Sequence, residues 1–174
     1  DLLNPKWKGK IGLDTKTFEW FGYMTKLMGQ KNGLEYMQKL SEQKLRFYSG
    51  RTLMAQLAAA GEISLALVYR GDIELMKDKG APVEWVGIEP IIPSIHPIGI
   101  FAHAPHPNAA KLFIDFSLSR EGQDTWVRLY RFPSRIDMKP LRMKKELKIL
   151  TPDFDIIGDY EKYGKLYRDV FLKK

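Results

Sequence analysis

Residues 63–71 read Ile-Ser-Leu-Ala-Leu-Val-Tyr-Arg-Gly, and this stretch decides the fold class. Its first seven residues are almost all apolar, which is typical of a central parallel strand covered on both faces. A short helical pattern follows over residues 71–79 and ends at a glycine. A buried strand that leads directly into a helix is the repeating unit of α/β proteins.

The same alternation extends outward from this stretch in both directions. Further strands are predicted at 10–14, 45–48 and 83–88, and helical patterns lie between them at 20–28, 34–40 and 53–60. Such an order favours right-handed crossover connections on a mostly parallel sheet flanked by helices. The predicted fold class is therefore α/β.

The sequence changes character after residue 89. Four prolines fall between residues 90 and 105, among short Ile-rich stretches at 91–95 and 98–102, which favours edge or linking strands. Two helices with apolar faces follow, and a last helix closes the chain. The apolar positions on the first two helices include Phe113, Phe116, Trp126 and Leu129. Exposed to solvent, these side chains would form a large apolar patch. We therefore expect them to pack against another copy or to fold back onto the rest of the chain.

Composition excludes several classes of protein. The 174 residues are 44% hydrophobic and 28% charged, as in a folded domain, and none is a cysteine, which removes disulfides and thiolate chemistry. No apolar run approaches the roughly 20 residues of a membrane span. The net charge of +7 is spread along the chain and interleaved with acidic residues, so we expect a solvated surface and no nucleic-acid partner.

Polar residues follow three of the predicted strands. Because the carboxyl ends of parallel strands meet at one edge of a sheet, these residues are expected to gather there. Hydroxyls, cations and helix N-termini together suit an anion or a polar solute. The alternative is that the hydroxyl residues only cap helices. The predicted ligand-binding residues are Thr15, Lys16, Thr17, Ser49, Gly50, Arg51, Tyr69 and Arg70.

Metal and catalytic sites are weakly indicated. Tyr69 is either a core tyrosine at the rim or a phenolate ligand of a hard cation. The three histidines, His96, His103 and His106, lie in the proline-rich segment without a ligand-like spacing, so turn or surface roles are expected. Because no nucleophile triad, phosphate loop or carboxylate pair stands out, we expect no enzyme and no cofactor. A transferase or lyase is the alternative, with Asp14 the one carboxylate to nominate.

Several motifs resemble the bacterial extracellular solute-binding proteins, in the group that includes ferric-iron and polyamine-binding components of ABC importers. They are DLLNPKWKGKI at 1–11, GRT at 50–52, GEI at 61–63, APHPNAAKLFIDF at 104–116, LSREGQ at 118–123 and PSR at 133–135. The resemblance covers the chain well to about residue 140 and loosely beyond it.

The resemblance implies a type 2 periplasmic-binding-protein fold, with two lobes that close on a solute. Residues 1–97 would form the second, ligand-gripping lobe. Residues 98–139 would hold a crossover strand and helices of an incomplete first lobe, and 140–174 would return to the second. The amino-terminal part of the first lobe would then be absent from this sequence. The sequence begins without Met and without a signal peptide, so we expect it to belong to a longer chain, and the resemblance implies a precursor with a signal peptide.

The resemblance also implies a partner, a location and a ligand class. The partner would be an ABC permease, and the location periplasmic or lipid-anchored outside the cell. Ferric-binding members present two adjacent tyrosines where this chain has Tyr69 followed by Arg70, so an anionic solute is expected before a ferric-anion complex. The alternative is the ligand-sensing domain of a transcription regulator with the same fold.

Overall fold

The computed structural model describes residues 1–143 and 147–173. The strands are β1 (Ile11–Asp14), β2 (Arg46–Tyr48) and β3 (Leu65–Ala66). The helices are α1 (Phe18–Leu27), α2 (Gln30–Ser41), α3 (Arg51–Ala59), α4 (Arg70–Asp78), α5 (Pro107–Leu118), α6 (Arg120–Arg128), α7 (Phe154–Gly158) and α8 (Tyr160–Phe171). None of the helices in these ranges is both long enough and apolar enough to cross a membrane.

The described strands form one parallel sheet in the order β2-β1-β3. Asp14 is level with Tyr48 of β2, and Gly12 is level with Ala66 of β3. All four residues of β1 are buried, because this strand has a neighbour on each edge and helices on each face. The parallel α/β fold predicted from the sequence is thus confirmed.

Of the short strands predicted at 91–95 and 98–102, only Ile91 pairs with a described residue, in an isolated bridge with Ile149. Two details of the strand prediction before residue 90 are also wrong. The central strand is β1 and not the apolar run at 63–69, of which only Leu65–Ala66 pairs. Residues 83–88 form no strand, and Val86 and Ile88 are 81% and 73% exposed. The run at 63–69 lies at one edge of the described sheet. The apolar residues at 83–88 have no sheet neighbour to pair with among the described residues.

Alternation along β1 divides the core. Ile11 faces α1, α2 and α8, where the largest cluster of buried rings and aliphatic side chains lies. Gly12 faces the opposite side, where a side chain would meet Ile63 and Met54. The fully buried members of the larger cluster include Phe21, Met37, Leu40 and Tyr167.

Helices α1 and α2 pack closely because Gly33 has no side chain. A Cβ atom on Gly33 would lie 2.5 Å from the Cα atom of Thr25. The two helices therefore pack backbone to backbone at this point, which only glycine allows.

Helix α5 and its neighbour α6 pack on each other through a small contact. Helix α5 has no buried residue, and Phe113 is 60% exposed. The apolar side chains named in the sequence analysis are 41–60% exposed, so the expectation that they fold back onto the rest of the chain is wrong. The carboxyl end of α6 nevertheless packs on α4. Association of the exposed apolar side chains with another copy, and the division of the chain into lobes, stay predictions.

Candidate functional site

A cavity of about 360 Å³ lies at the carboxyl ends of the three strands. Each strand contributes to it through the loop or helix that follows, because parallel strands end at the same edge. The cavity is lined by Asp14, Lys16, Arg51, Thr52, Tyr69, Asp72 and Arg131. Three of these seven side chains are cations and two are carboxylates.

Asp14 connects two of the loops at this edge. Its carboxylate accepts hydrogen bonds from the backbone N–H of Lys16 at 2.7 Å and from that of Gly50 at 2.9 Å. Its side chain is also nearly buried. Both of its oxygens are therefore engaged by backbone donors, which makes Asp14 a structural brace between the end of β1 and the β2–α3 turn.

Tyr69 lies between the cationic side chains of the cavity. The guanidinium carbon of Arg51 is 4.1 Å from the centroid of its ring, and that of Arg131 is 5.3 Å away. Aromatic rings attract guanidinium groups through their negative faces and help to fix their positions. The ring thus contacts two arginines from distant parts of the chain, and both of them line the cavity.

Arg131 reaches the cavity from the segment that follows α6. Its guanidinium donates to the carboxylate of Asp72 at 3.1 Å. The preceding residue, Tyr130, donates from its hydroxyl to Asp78 at 2.6 Å, which raises the pKa of Tyr130 and lowers that of Asp78. Gly71 allows the close approach, since a Cβ there would lie 3.0 Å from the carbonyl oxygen of Leu129.

The structure brings together some of the predicted site residues. Lys16, Arg51 and Tyr69 line the cavity. Thr15, Ser49 and Gly50 belong to the same loops without lining it, and Ser49 is exposed. Thr17 is buried, and its hydroxyl donates to the backbone carbonyl of Asp14.

Arg70 is placed outside the cavity. Its guanidinium donates to the backbone carbonyls of Tyr130 and Leu141 and lies near the rings of Trp85 and Phe132. Burial lowers the pKa of Arg70. This arginine therefore joins α4 to the segment after α6, while its neighbour Tyr69 faces the cavity.

The sequence did not identify four of the lining residues as ligand contacts. Asp14, Thr52 and Asp72 lie within two residues of predicted ligand-binding residues, and their position after a predicted strand was signal enough to include them. Arg131 follows α6, more than fifty residues after the last of those clusters. Nothing in the local pattern of its segment indicates that it approaches the sheet edge.

The donor set suits an anion better than a metal ion. Within residues 1–143 and 147–173, no three His, Cys, Asp or Glu side chains gather in a way that could hold a metal. The Tyr69 hydroxyl lies 3.2 Å from the hydroxyl of Ser94, and two guanidinium groups border its ring. The positive charge of these guanidinium groups opposes the binding of a metal cation at the Tyr69 hydroxyl.

Comparison with known sequences identifies a family. The profile of the family described as bacterial extracellular solute-binding protein matches residues 1–159. An uncharacterized protein of Haemophilus influenzae is 26% identical over 130 residues, which cover 71% of this chain and 38% of the relative.

Solved structures share the fold. A periplasmic binding protein named P5PA is 29% identical, with a TM-score of 0.76 over 97% of this chain and 57% of its own. Iron-bound HitA from Pseudomonas aeruginosa is 23% identical, with a TM-score of 0.75 over 99% of this chain and 60% of its own. AfuA from Actinobacillus pleuropneumoniae, with fructose-6-phosphate bound, is 24% identical, with a TM-score of 0.63 over 97% of this chain and 57% of its own.

These relatives are considerably longer than the chain, which spans less than two thirds of each of them. The family and its structural neighbours are binding proteins rather than enzymes. Because the family profile covers most of the sequence and the parallel α/β architecture agrees with it, the chain belongs to the bacterial extracellular solute-binding proteins.

Proposed function

We propose that this protein captures a small anionic solute outside the cytoplasm and delivers it to an ABC permease in the membrane. The observation that carries this proposal is the charge of the cavity. It is lined by three cations, Lys16, Arg51 and Arg131, and by two carboxylates. Asp14 accepts hydrogen bonds from backbone N–H groups, and Asp72 pairs with Arg131, so one of the three cations is already partly offset. The cavity therefore offers a surplus of positive charge to a ligand.

The geometry of the cations supports a ligand with several acceptor oxygens. The guanidinium groups of Arg51 and Arg131 both contact the Tyr69 ring and both line the cavity, so a ligand with several acceptor oxygens has two guanidinium donors available there. Guanidinium groups bind such oxygens in pairs of hydrogen bonds, which gives geometric selectivity as well as affinity. Thr52 adds a hydroxyl at the same wall.

Among anions we favour a phosphate ester. AfuA, whose fold this chain shares, was solved with fructose-6-phosphate bound. The relative named as iron-bound is more similar in fold, with a TM-score of 0.75 against 0.63 for AfuA. Against iron, Tyr69 has guanidinium neighbours where a ferric ion would need anionic ligands. We infer that the protein acts by binding and not by catalysis, in the periplasm or anchored outside the cell.

Isothermal titration calorimetry tests the proposal with fructose 6-phosphate, inorganic phosphate, neutral fructose and ferric citrate. We expect the phosphate compounds to bind and fructose not to bind. Substituting Arg51→Gln or Arg131→Gln removes a charged donor and is expected to weaken phosphate binding by about tenfold to a hundredfold. Arg128→Gln is the matched control, because Arg128 is exposed on α6 and pairs with Asp124.

Two results would overturn the proposal. One is tight binding of the ferric compound with no binding of either phosphate compound. The other is an affinity for fructose equal to that for its phosphate, because the cations of the cavity would then contribute nothing.

A further inference from the structure

We infer that Tyr130 is a positioning residue of the anion site, which fixes the backbone just before Arg131 and thereby sets the affinity of the cavity for its ligand. Tyr130 itself does not line the cavity. This inference rests on the proposed function and adds to it a residue that acts on the ligand only through its neighbour in the chain.

Tyr130 occupies a position in the chain where glycine is usual. Its backbone N–H donates to the carbonyl of Val127 at 2.9 Å, and the backbone N–H of Arg131 donates to the carbonyl of Trp126 at 3.0 Å. These two bonds end α6 in the motif whose turning residue adopts a left-handed conformation, most often as glycine. Tyr130 adopts this conformation with a φ of 58°, which is unfavourable for a bulky residue. The conformation therefore persists because other contacts hold it.

Helix α4 supplies those contacts from both of its ends. Arg70, its first residue, donates to the backbone carbonyl of Tyr130 at 3.0 Å. Asp78, its last residue, accepts from the Tyr130 hydroxyl at 2.6 Å. Tyr130 is also buried, with 7% of its surface exposed. A cation and an anion on one helix thus fix the backbone and the side chain of this residue separately.

The amino end of α4 is at the same time part of the cavity wall. Tyr69 precedes the helix and Asp72 lies in its first turn; both line the cavity and both contact Arg131. The helix that holds Tyr130 therefore fixes Arg131 relative to the rest of the site. Donors that are in place before the ligand arrives need not be ordered by it, and this raises affinity. One of the two cavity guanidinium groups thus depends on the conformation of Tyr130.

Calorimetry with fructose 6-phosphate tests this inference through pairs of substitutions. Tyr130→Phe keeps the ring and removes the bond to Asp78, so we expect it to weaken binding about threefold to tenfold. In the Tyr130→Phe background, Arg131→Gln should cost less affinity than in the wild type, by that same factor, because the arginine is already less well placed. Arg51→Gln should cost the same in both backgrounds, since Arg51 reaches the cavity on α3. A general loosening of the fold would alter the effects of both arginines alike.

A second variant removes the same hydrogen bond from its other side. Asp78→Ala deletes the acceptor and is expected to give the same pattern, with a loss at least as large because Arg142 also loses its contact with Asp78. Tyr160→Phe is the matched control, since it removes the same atom from a tyrosine that is 45% exposed on α8 and does not line the cavity. We expect this control to bind as the wild type does. Circular dichroism checks that each variant is folded.

The outcomes distinguish the inference from the proposed function. If the wild type binds the ester and both Tyr130→Phe and Asp78→Ala bind it equally well, the inference is overturned and the proposed function stands. The same holds if Arg131→Gln costs as much affinity in the Tyr130→Phe background as in the wild type, or if the effect of Arg51→Gln shrinks equally. If the wild type binds neither the ester nor inorganic phosphate, both are overturned.

Discussion

The side-chain hydroxyl of Tyr167 donates a hydrogen bond of 2.7 Å to the backbone carbonyl of Asp14. Tyr167 lies on α8, near the end of the chain, and is completely buried against the rings of Phe18 and Phe21. Asp14 ends the central strand and braces the loops at the cavity. The last helix therefore helps to fix the end of β1 next to the cavity, although none of its residues lines the cavity.

Removing the Tyr167 hydroxyl tests how much its hydrogen bond to Asp14 contributes to stability. Tyr167→Phe keeps the ring packing and deletes one buried hydrogen bond, so we expect the free energy of unfolding to fall by about 1 kcal/mol. The loss stays modest because the Asp14 carbonyl also accepts from the hydroxyl of Thr17. Urea unfolding measures it as a lower midpoint with an unchanged slope. Tyr160→Phe, at a position 45% exposed, is the control and is expected to change nothing.

The same tyrosine predicts how stability depends on alkaline pH. Burial raises the pKa of Tyr167 above its ordinary value of 10.0. Above about pH 10 the unfolded chain loses this proton and the folded chain keeps it, so the unfolded state is increasingly favoured as the pH rises. The stabilisation is complete below about pH 10 and falls by up to about 1.4 kcal/mol per pH unit above it. The stability difference between wild type and Tyr167→Phe should therefore shrink between pH 9 and pH 11, and a constant difference would contradict the assignment.

Much of the architecture could be predicted from local patterns. The strand-helix order indicates a parallel sheet, which predicts Lys16, Arg51 and Tyr69 at one edge, and all three line the cavity there. Strand length was harder to predict, because pairing depends on neighbours. The apolar run at 63–69 has a pairing partner on one side in the part of the chain that the structure describes, and it pairs over two residues.

The rest of the site depends on contacts between distant segments. Arg131 enters the cavity because Tyr130 and Asp78 fix the chain after α6 against α4. Arg70 turns away because the carbonyls that accept its hydrogen bonds lie on that same segment. Neither arrangement leaves a periodic pattern in the sequence, since periodicity reports only which side of an element is buried.

The close contact between α1 and α2 gives a second stability prediction. Gly33→Ala adds a methyl group 2.7 Å from the backbone carbonyl oxygen of Thr25, so the helices must separate. We expect a loss of about 1–3 kcal/mol, which outweighs the gain of up to about 1 kcal/mol from replacing a glycine within a helix. Gly158→Ala is the matched control, because a Cβ there has no neighbour within 4 Å. A Gly33→Ala variant as stable as the Gly158→Ala variant in urea would rule out tight packing at this position.

The ion pair between Asp72 and Arg131 predicts the sign of a change in affinity. Asp72→Asn removes a negative charge from the cavity wall, while Arg131 keeps its contact with the Tyr69 ring. Less repulsion should strengthen the binding of fructose 6-phosphate about twofold to fivefold. Asp124→Asn, on the exposed surface of α6, is the control and should leave affinity unchanged. Weaker binding of the Asp72→Asn variant in calorimetry would mean that Asp72 acts mainly by positioning Arg131.

The buried carboxylate of Glu74 gives the last prediction. Its side chain is 3% exposed, and its oxygens accept from the indole of Trp85 at 2.6 Å and from Arg142 at 3.3 Å. Trp85→Phe leaves a buried carboxylate oxygen without its donor and is expected to lower the free energy of unfolding by about 1–3 kcal/mol. Adding Glu74→Met to this variant should restore part of the loss, because an apolar pair needs no hydrogen bond and Arg142 keeps its contact with Asp78. Urea unfolding of both single variants and the double variant measures the coupling, and losses that simply add would show that the indole and the carboxylate do not depend on each other.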